Sequence, residues 1–155
     1  MRLAWLLAVL STGCFDTDAA VFVEAQIDEA SAAVEQSALA TGLAGSFRVQ
    51  FHLGPRASGP SDVELSGFFV TDADRAAIVD DLAVVPAQSF PVTVPVNGDV
   101  TVGAVFAAED NLFPVETVEP LCAPGGIRIV GVFHDPLRGG SIDAASEAFS
   151  PTGCP

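Results

Sequence analysis

Two histidines are the only imidazoles in the chain, and each follows a phenylalanine, in Phe51-His52-Leu53-Gly54-Pro55 and Phe133-His134-Asp135-Pro136. If the strands that carry them are neighbours, His52, His134 and Asp135 converge, and imidazole beside carboxylate can ligate a metal or act as a polarised base. The alternative is that both histidines are ordinary outward-facing strand residues next to buried phenylalanines. A second group is acidic: Asp72, Asp74, Asp80 and Asp81, then Glu109, Asp110, Glu116 and Glu119, mostly where loops are expected. Oxygen-rich loops at one end of a β-sandwich can hold Ca2+, which takes about 6–8 oxygen ligands. The spacing lacks the alternating Asp pattern of a calcium loop, and a solvated acidic surface accounts for the same residues. Cys14, Cys122 and Cys154 complete the reactive inventory, and none sits in the C-x-x-C spacing of a zinc site.

No serine has glycine both two before and two after it, and no H-E-x-x-H, P-loop or dinucleotide fingerprint occurs. The expectation is a non-enzyme without a cofactor; a metal-dependent enzyme built on His52, His134 and Asp135 is the remote alternative. Paired carboxylates for glycoside hydrolysis are a spatial matter that spacing does not decide. Against a sugar-binding surface stands the aromatic inventory: one Trp, at position 5, no Tyr and eleven Phe. Recognition surfaces favour rings with a polar tip, so the phenylalanines are assigned to the core. Phe68 and Phe69 are adjacent and face opposite sides if they share a strand. One of them then needs a second covering layer or a bulge, or marks a partner site.

The chain has 155 residues, 20 acids against 6 basic residues, all of them Arg, and a net charge of -14. With all six basic residues Arg and none Lys, a P-loop lysine, a Schiff-base lysine and a polybasic membrane patch are excluded. So acidic a surface repels phosphate backbones, which excludes nucleic acid. Half the residues are apolar and the mean hydropathy is +0.47, which suits one folded domain and not a disordered acidic tail.

The opening segment supplies an address. Met1-Arg2 is a positive start, Leu3 to Leu10 is an eight-residue apolar run, and Ser11-Thr12-Gly13 is small and neutral before Cys14. As a helix that run rises about 12 Å, against a hydrocarbon core of about 30 Å, so it reads as a secretory signal and not as a membrane span. Small residues ending at a Cys resemble the lipobox of bacterial lipoproteins. Ser11 and the single Arg depart from the commonest form of that motif. The resemblance implies that the Cys14 thiol carries diacylglycerol and becomes the mature N-terminus. It also implies the outer membrane, periplasmic or surface facing, because Phe15 and not Asp follows the Cys. An ordinary signal cleaved near Ala19-Ala20 is the alternative. Two or more acyl chains give stable attachment, so the body needs no membrane-binding surface of its own.

With Cys14 lipidated or removed, Cys122 and Cys154 remain as an even pair in an oxidising compartment, and a bridge between them is expected. The domain plan is therefore 1–13 signal peptide, 14–20 lipidated Cys and short tether, and 21–155 a single domain.

That domain reads as all-β, a mainly antiparallel sandwich of about eight short strands. Phe47, Val49, Phe51 and Leu53 alternate with Arg48, Gln50 and His52, and Val21 to Asp28 alternates likewise. Further strands are expected at 63–71, 90–96, 100–107, 127–133 and 141–149. The Ala-rich stretch Glu29 to Leu43 reads as strand or turn, although a short helix would also suit it. Asp72 to Asp81 suggests a helical turn on a sandwich edge. Around Asn97-Gly98, a three-residue loop would pair Val96 with Val100, Val94 with Val102, Val92 with Ala104 and Phe90 with Phe106, all apolar. The expectation is therefore a hairpin of that register with a left-handed loop residue. Pro91 and Pro95 direct their missing N–H groups to one side, making 90–96 an edge strand. Taken together, these features suggest a structural or interaction module attached to the membrane, with an envelope protein as a possible partner. A divalent-cation or small-ligand module is the alternative.

Overall fold

A computed structural model describes residues 19–155; the expected signal segment 1–13, Cys14 and most of the expected tether 14–20 lie outside the described residues. Ten strands form the body: β1 Glu24–Gln36, β2 Thr41–Leu53, β3 Ser61–Asp72, β4 Ala77–Val79, β5 Val85–Pro86, β6 Val92–Val94, β7 Gly98–Phe106, β8 Leu112–Phe113, β9 Ile127–Asp135 and β10 Gly140–Ala145. A 3-10 turn at Val115–Thr117 and the one-turn helix α1 at Val118–Leu121 are the helical elements between β8 and β9. Two five-stranded antiparallel sheets face each other: β1-β2-β7-β5 with β8 on β2, and β10-β9-β3-β4 with β6 on β3. The architecture is a β-sandwich.

Alternation in the sequence explains which faces meet. In β2, Leu43, Phe47, Val49, Phe51 and Leu53 are no more than 2% exposed, and Arg48 and Gln50 between them point to solvent. Opposite them β9 sends in Ile127, Ile129 and Phe133, and β3 sends in Val63, Phe68 and Val70. Each such buried side chain contributes about 1.5–3 kcal/mol. Edge-on rings knit the layers: Phe51 and Phe133 lie 5.0 Å apart and Phe47 and Phe68 4.9 Å, with Phe68 to Phe133 at 5.8 Å. Phe68 thus belongs to the core and Phe69 lies half-buried on the outer face, after a register irregularity between Leu65 and Gly67.

Glu29 to Leu43 is strand, turn and strand: β1 and β2 form a hairpin from Glu24 opposite His52 to Gln36 opposite Thr41. The Ser37 hydroxyl donates to the Ala40 carbonyl and accepts from the Ala40 N–H, each at 3.0 Å, and closes the turn.

Two expectations need correction. Asp72 to Asp81 is no helical turn: β3 and β4 are joined by a tight turn, with Ala77 opposite Thr71. Asp72 Oδ1 accepts the N–H groups of Asp74 at 2.9 Å and Ala76 at 2.8 Å, and Arg75 takes the left-handed region at φ 72°. An aspartate that binds its own following backbone competes with helix formation, which is why turn geometry wins here. The hairpin expected at 90–106 is also absent. β6 pairs with β3, Val94 opposite Ser61 and Val92 opposite Val63, whereas β7 pairs with β2, Phe51 opposite Val100. The chain changes layers at 95–97. Val92, Val94, Val102 and Phe106 all face inward as their parity demands, but apolar faces meet across a sandwich as readily as along a ladder. The left-handed residue is Asn97, φ 54°, and β6 is an edge strand paired only with β3.

The C-terminal tail is tied back onto this frame. Behind Ile127–Phe149 pairing, the tail runs parallel to β1: the Thr152 N–H donates to the Ala32 carbonyl at 2.9 Å, and the Val34 N–H to the Thr152 carbonyl at 2.8 Å. This covers part of an otherwise open sheet edge. Gly153 makes the approach possible, since it sits at φ 76° and any Cβ there would collide with the Val34 carbonyl. Cys122 and Cys154 are bridged, with Cα atoms 5.6 Å apart, so the tail is bonded to the end of α1. Closing a loop of 32 residues stabilises the fold by about 3–4 kcal/mol in the loop-entropy account.

Candidate functional site

The sequence-derived candidates divide between opposite surfaces. His52 lies on β2 and points away from the core on the outer face of the first sheet. His134 lies on β9 and points outward from the second, opposite Glu64 and Ser141. The core separates them, so the convergence of His52, His134 and Asp135 does not occur: β2 and β9 belong to different layers. Among the described residues no three His, Cys, Asp or Glu side chains are grouped so as to hold a metal. Asp74, Asp80 and Asp81 are exposed around the β4 hairpin, and one oxygen of Asp72 is engaged by that turn.

Asp135 is fully buried and has another task. Its Oδ1 accepts the Ser61 hydroxyl at 2.5 Å and the Leu137 N–H at 3.0 Å, and its Oδ2 accepts the Val23 N–H at 3.0 Å. One carboxylate thereby fastens the segment before β1, the first residue of β3 and the β9–β10 turn. A buried carboxylate is tolerable only when its oxygens find donors, and here three converge. Beside it, the Ala20 carbonyl accepts the Gly54 N–H at 3.1 Å. Asn111 plays a comparable part at the other end. Its amide oxygen accepts the Ala83 N–H at 2.8 Å, and its NH2 donates to the carbonyls of Ala83 at 3.0 Å and Ala107 at 2.9 Å.

The most elaborated surface is the outer face of the first sheet. Alternation puts Arg48, Gln50 and His52 of β2 on that face, flanked by β1 and β7 in register: Glu24, His52 and Asp99 form one rung, and Gln26, Gln50 and Thr101 the next. His52 Nδ1 lies 2.8 Å from Asp99 Oδ1; Gln50 donates to Asp28 Oδ2; Arg48 Nη1 donates to Glu29 Oε1 at 2.9 Å. The irregularity in β1 between Asp28 and Ser31, with Glu29 at φ 49°, places two successive acids within reach of β2. Bulges commonly re-aim side chains in this way. The other oxygen of Asp28 is shielded and has no partner among the described residues.

Two shallow depressions share this face. One, about 610 Å³, is lined by Glu24, Gln26, Gln50, His52 and Asp99. The other, about 390 Å³, adds Val85, Pro86 and Val105 beside Glu29 and Arg48. Val85 and Val105 are cross-strand partners and are 63% and 56% exposed, an unusual state for paired strand valines. Chemically the face offers hydrogen bonds, ionic rungs and an apolar spot. His52 with Asp99 resembles an orienting acid–imidazole pair, but the residues lining its depression include no hydroxyl or thiol for it to activate. Sequence reasoning found His52 but missed the rungs, which depend on register, and missed Asp135 as a buried clamp. No protein family matches the chain, and no match was found among curated proteins or among solved structures.

Proposed function

We propose that this chain is a lipid-anchored protein of the bacterial envelope, attached to the outer membrane through Cys14, acting as a structural or interaction module and not as a catalyst. The observation that carries the reading is the eight-residue apolar run closed by small residues and Cys14, only six residues before Ala20, where the folded body begins to hold the chain. The Cys122–Cys154 bridge supports it, because such bonds persist in oxidising compartments. Among the described residues no helix is long and apolar enough to cross a membrane.

The outer face of the first sheet is the favoured surface for an envelope partner. Exposed Val85 and Val105 give an apolar spot at the β5 edge, and Glu24 and Glu29 on β1 with Asp99 on β7 give acidic positions across the same face, which suits a partner with a small apolar patch flanked on one side by basic groups. Membrane fractionation of the wild type and of Cys14→Ser tests the anchor. The wild type partitions with membranes and resists high salt, and Cys14→Ser is released to the soluble fraction. Equal retention of both would overturn the proposal.

A further inference from the structure

The charges of the sandwich are distributed unevenly between its two ends. At the end where the chain enters, the segment 19–23 and the loops 54–60, 95–97 and 136–139 contain no Asp or Glu at all, although the protein has 20 acids. They do contain two of its six basic residues, Arg56 and Arg138. At the opposite end, the segment 107–126 carries Glu109, Asp110, Glu116 and Glu119 and the β3–β4 turn adds Asp72 and Asp74, against Arg75 and Arg128, so the ends differ in acids and not in arginines. The acid-free loops form one surface. The Gly54 N–H binds the Ala20 carbonyl at 3.1 Å, the Asn97 N–H approaches the Gly54 carbonyl at 3.4 Å, and Asp135 ties Val23 to Leu137. The Arg138 guanidinium lies 5.5 Å from the centre of the Phe22 ring.

This surface is also apolar: Val21, Phe22 and Val96 are 43%, 39% and 38% exposed. The nearest carboxylates along the strands that leave it, Glu24, Asp62 and Asp99, project from the outer faces of the two sheets, and Asp16 and Asp18 belong to the tether. We propose that this end is a foot that rests on the anionic headgroups of the bilayer holding Cys14. Phe22, Val21 and Val96 dip among the headgroups, and Arg56 and Arg138 meet phosphate. The proposal rests on the lipid-anchor reading above. Six residues, Phe15 to Ala20, span at most about 20 Å, so the docked Ala20 cannot lie farther than that from the lipidated Cys. Attractive potential from anionic lipid acts within about 8–10 Å, which the foot reaches and the far end does not. The acyl chains supply the affinity; the foot supplies orientation, holding the acidic end away from the membrane.

The absence of Trp and Tyr outside the signal segment permits a direct test. Lipidated, full-length Phe22→Trp and Val96→Trp at the foot, and Leu39→Trp in the distant β1–β2 turn, each carry one emitter after processing. They are reconstituted into phosphatidylethanolamine–phosphatidylglycerol vesicles with brominated acyl chains. Foot emission should be quenched about twofold or more and Leu39→Trp emission unchanged. Adding Arg56→Glu and Arg138→Glu should return foot emission toward the unquenched level, while the protein still floats with the vesicles. Equal quenching at foot and turn, in protein that floats with the vesicles, would overturn the foot and leave the anchor standing. Protein that does not float overturns the anchor, and the foot with it.

Discussion

The two ends of this sandwich perform the same task, fastening a chain segment that belongs to neither sheet, by different chemistry. At the end where the chain enters, a buried carboxylate does it: Asp135 collects donors from Val23, Ser61 and Leu137. At the other end a covalent bond does it, Cys122 to Cys154, with Asn111 binding the 83 and 107 segments alongside. A carboxylate clamp depends on every donor staying in place and weakens abruptly when one of the groups is lost. A disulfide acts largely by restricting the unfolded chain, and its effect is spread over the loop that it closes. The difference matches the charge distribution: the carboxylate at the entry end is internal and saturated, whereas the far end keeps its carboxylates in solvent.

Substitutions can break that contrast. Asp135→Ala should have the largest effect, on the order of 4 kcal/mol in a denaturant titration, because three donors lose their acceptor in a buried site. Amide exchange should accelerate first at Val23 and leave the Thr152 amide protected. Cys122→Ser should cost about 3–4 kcal/mol and show the reverse, early exchange at Thr152 with Val23 protected. Exchange that spreads equally to both ends in either variant would show that the ends are not independent fasteners. Asn111→Ala should lower stability by about 2 kcal/mol, through loss of partners for the Ala83 and Ala107 backbone groups. Gly54→Ala and Gly153→Ala sharpen the comparison, since each places a Cβ against a backbone carbonyl across a docking contact, that of Ala20 in the docked segment in one case and that of Val34 in β1 in the other. Each should cost about 1 kcal/mol and release only its own segment, as seen by limited proteolysis. Arg48→Ala should change stability by less than about 0.5 kcal/mol, because both partners of the Arg48–Glu29 pair are more than half exposed.

What the sequence discloses is parity, and parity decides faces. The alternation of Phe47, Val49, Phe51 and Leu53 identifies the inward side of β2, and the even cysteine pair identifies the bridge. Parity does not decide partners. Val92 and Val94 face the same core whether they ladder with β7 or with β3, so the expected hairpin satisfied every local rule and still assigned the wrong neighbour. The burial of Asp135 was hidden for a related reason. Its position two after Phe133 puts it on the inner face, but a carboxylate at a strand end beside Pro136 reads as solvent-facing until the donors of Val23 and Ser61, distant in sequence, are brought to it. The rungs on the outer face depend on which strands pair and in what register, and the Arg48–Glu29 pair on the β1 irregularity at Glu29; an extra residue in a ladder leaves no mark in composition. The Ala-rich hairpin and the Asp72 turn show the limit of propensity. In one, pairing with β2 overrides helix preference, and in the other a side chain binds its own backbone.

The central claim, that Cys14 carries the lipid which fixes this sandwich to a membrane, is tested most directly by the intact mass of protein extracted from membranes. The account predicts a polypeptide beginning at Cys14, heavier by a diacylglyceryl or triacyl modification and lighter by the two hydrogens lost in the Cys122–Cys154 bridge. A mass that corresponds to an unmodified chain beginning after Ala19 or Ala20, or two thiols open to alkylation without reduction, would contradict it.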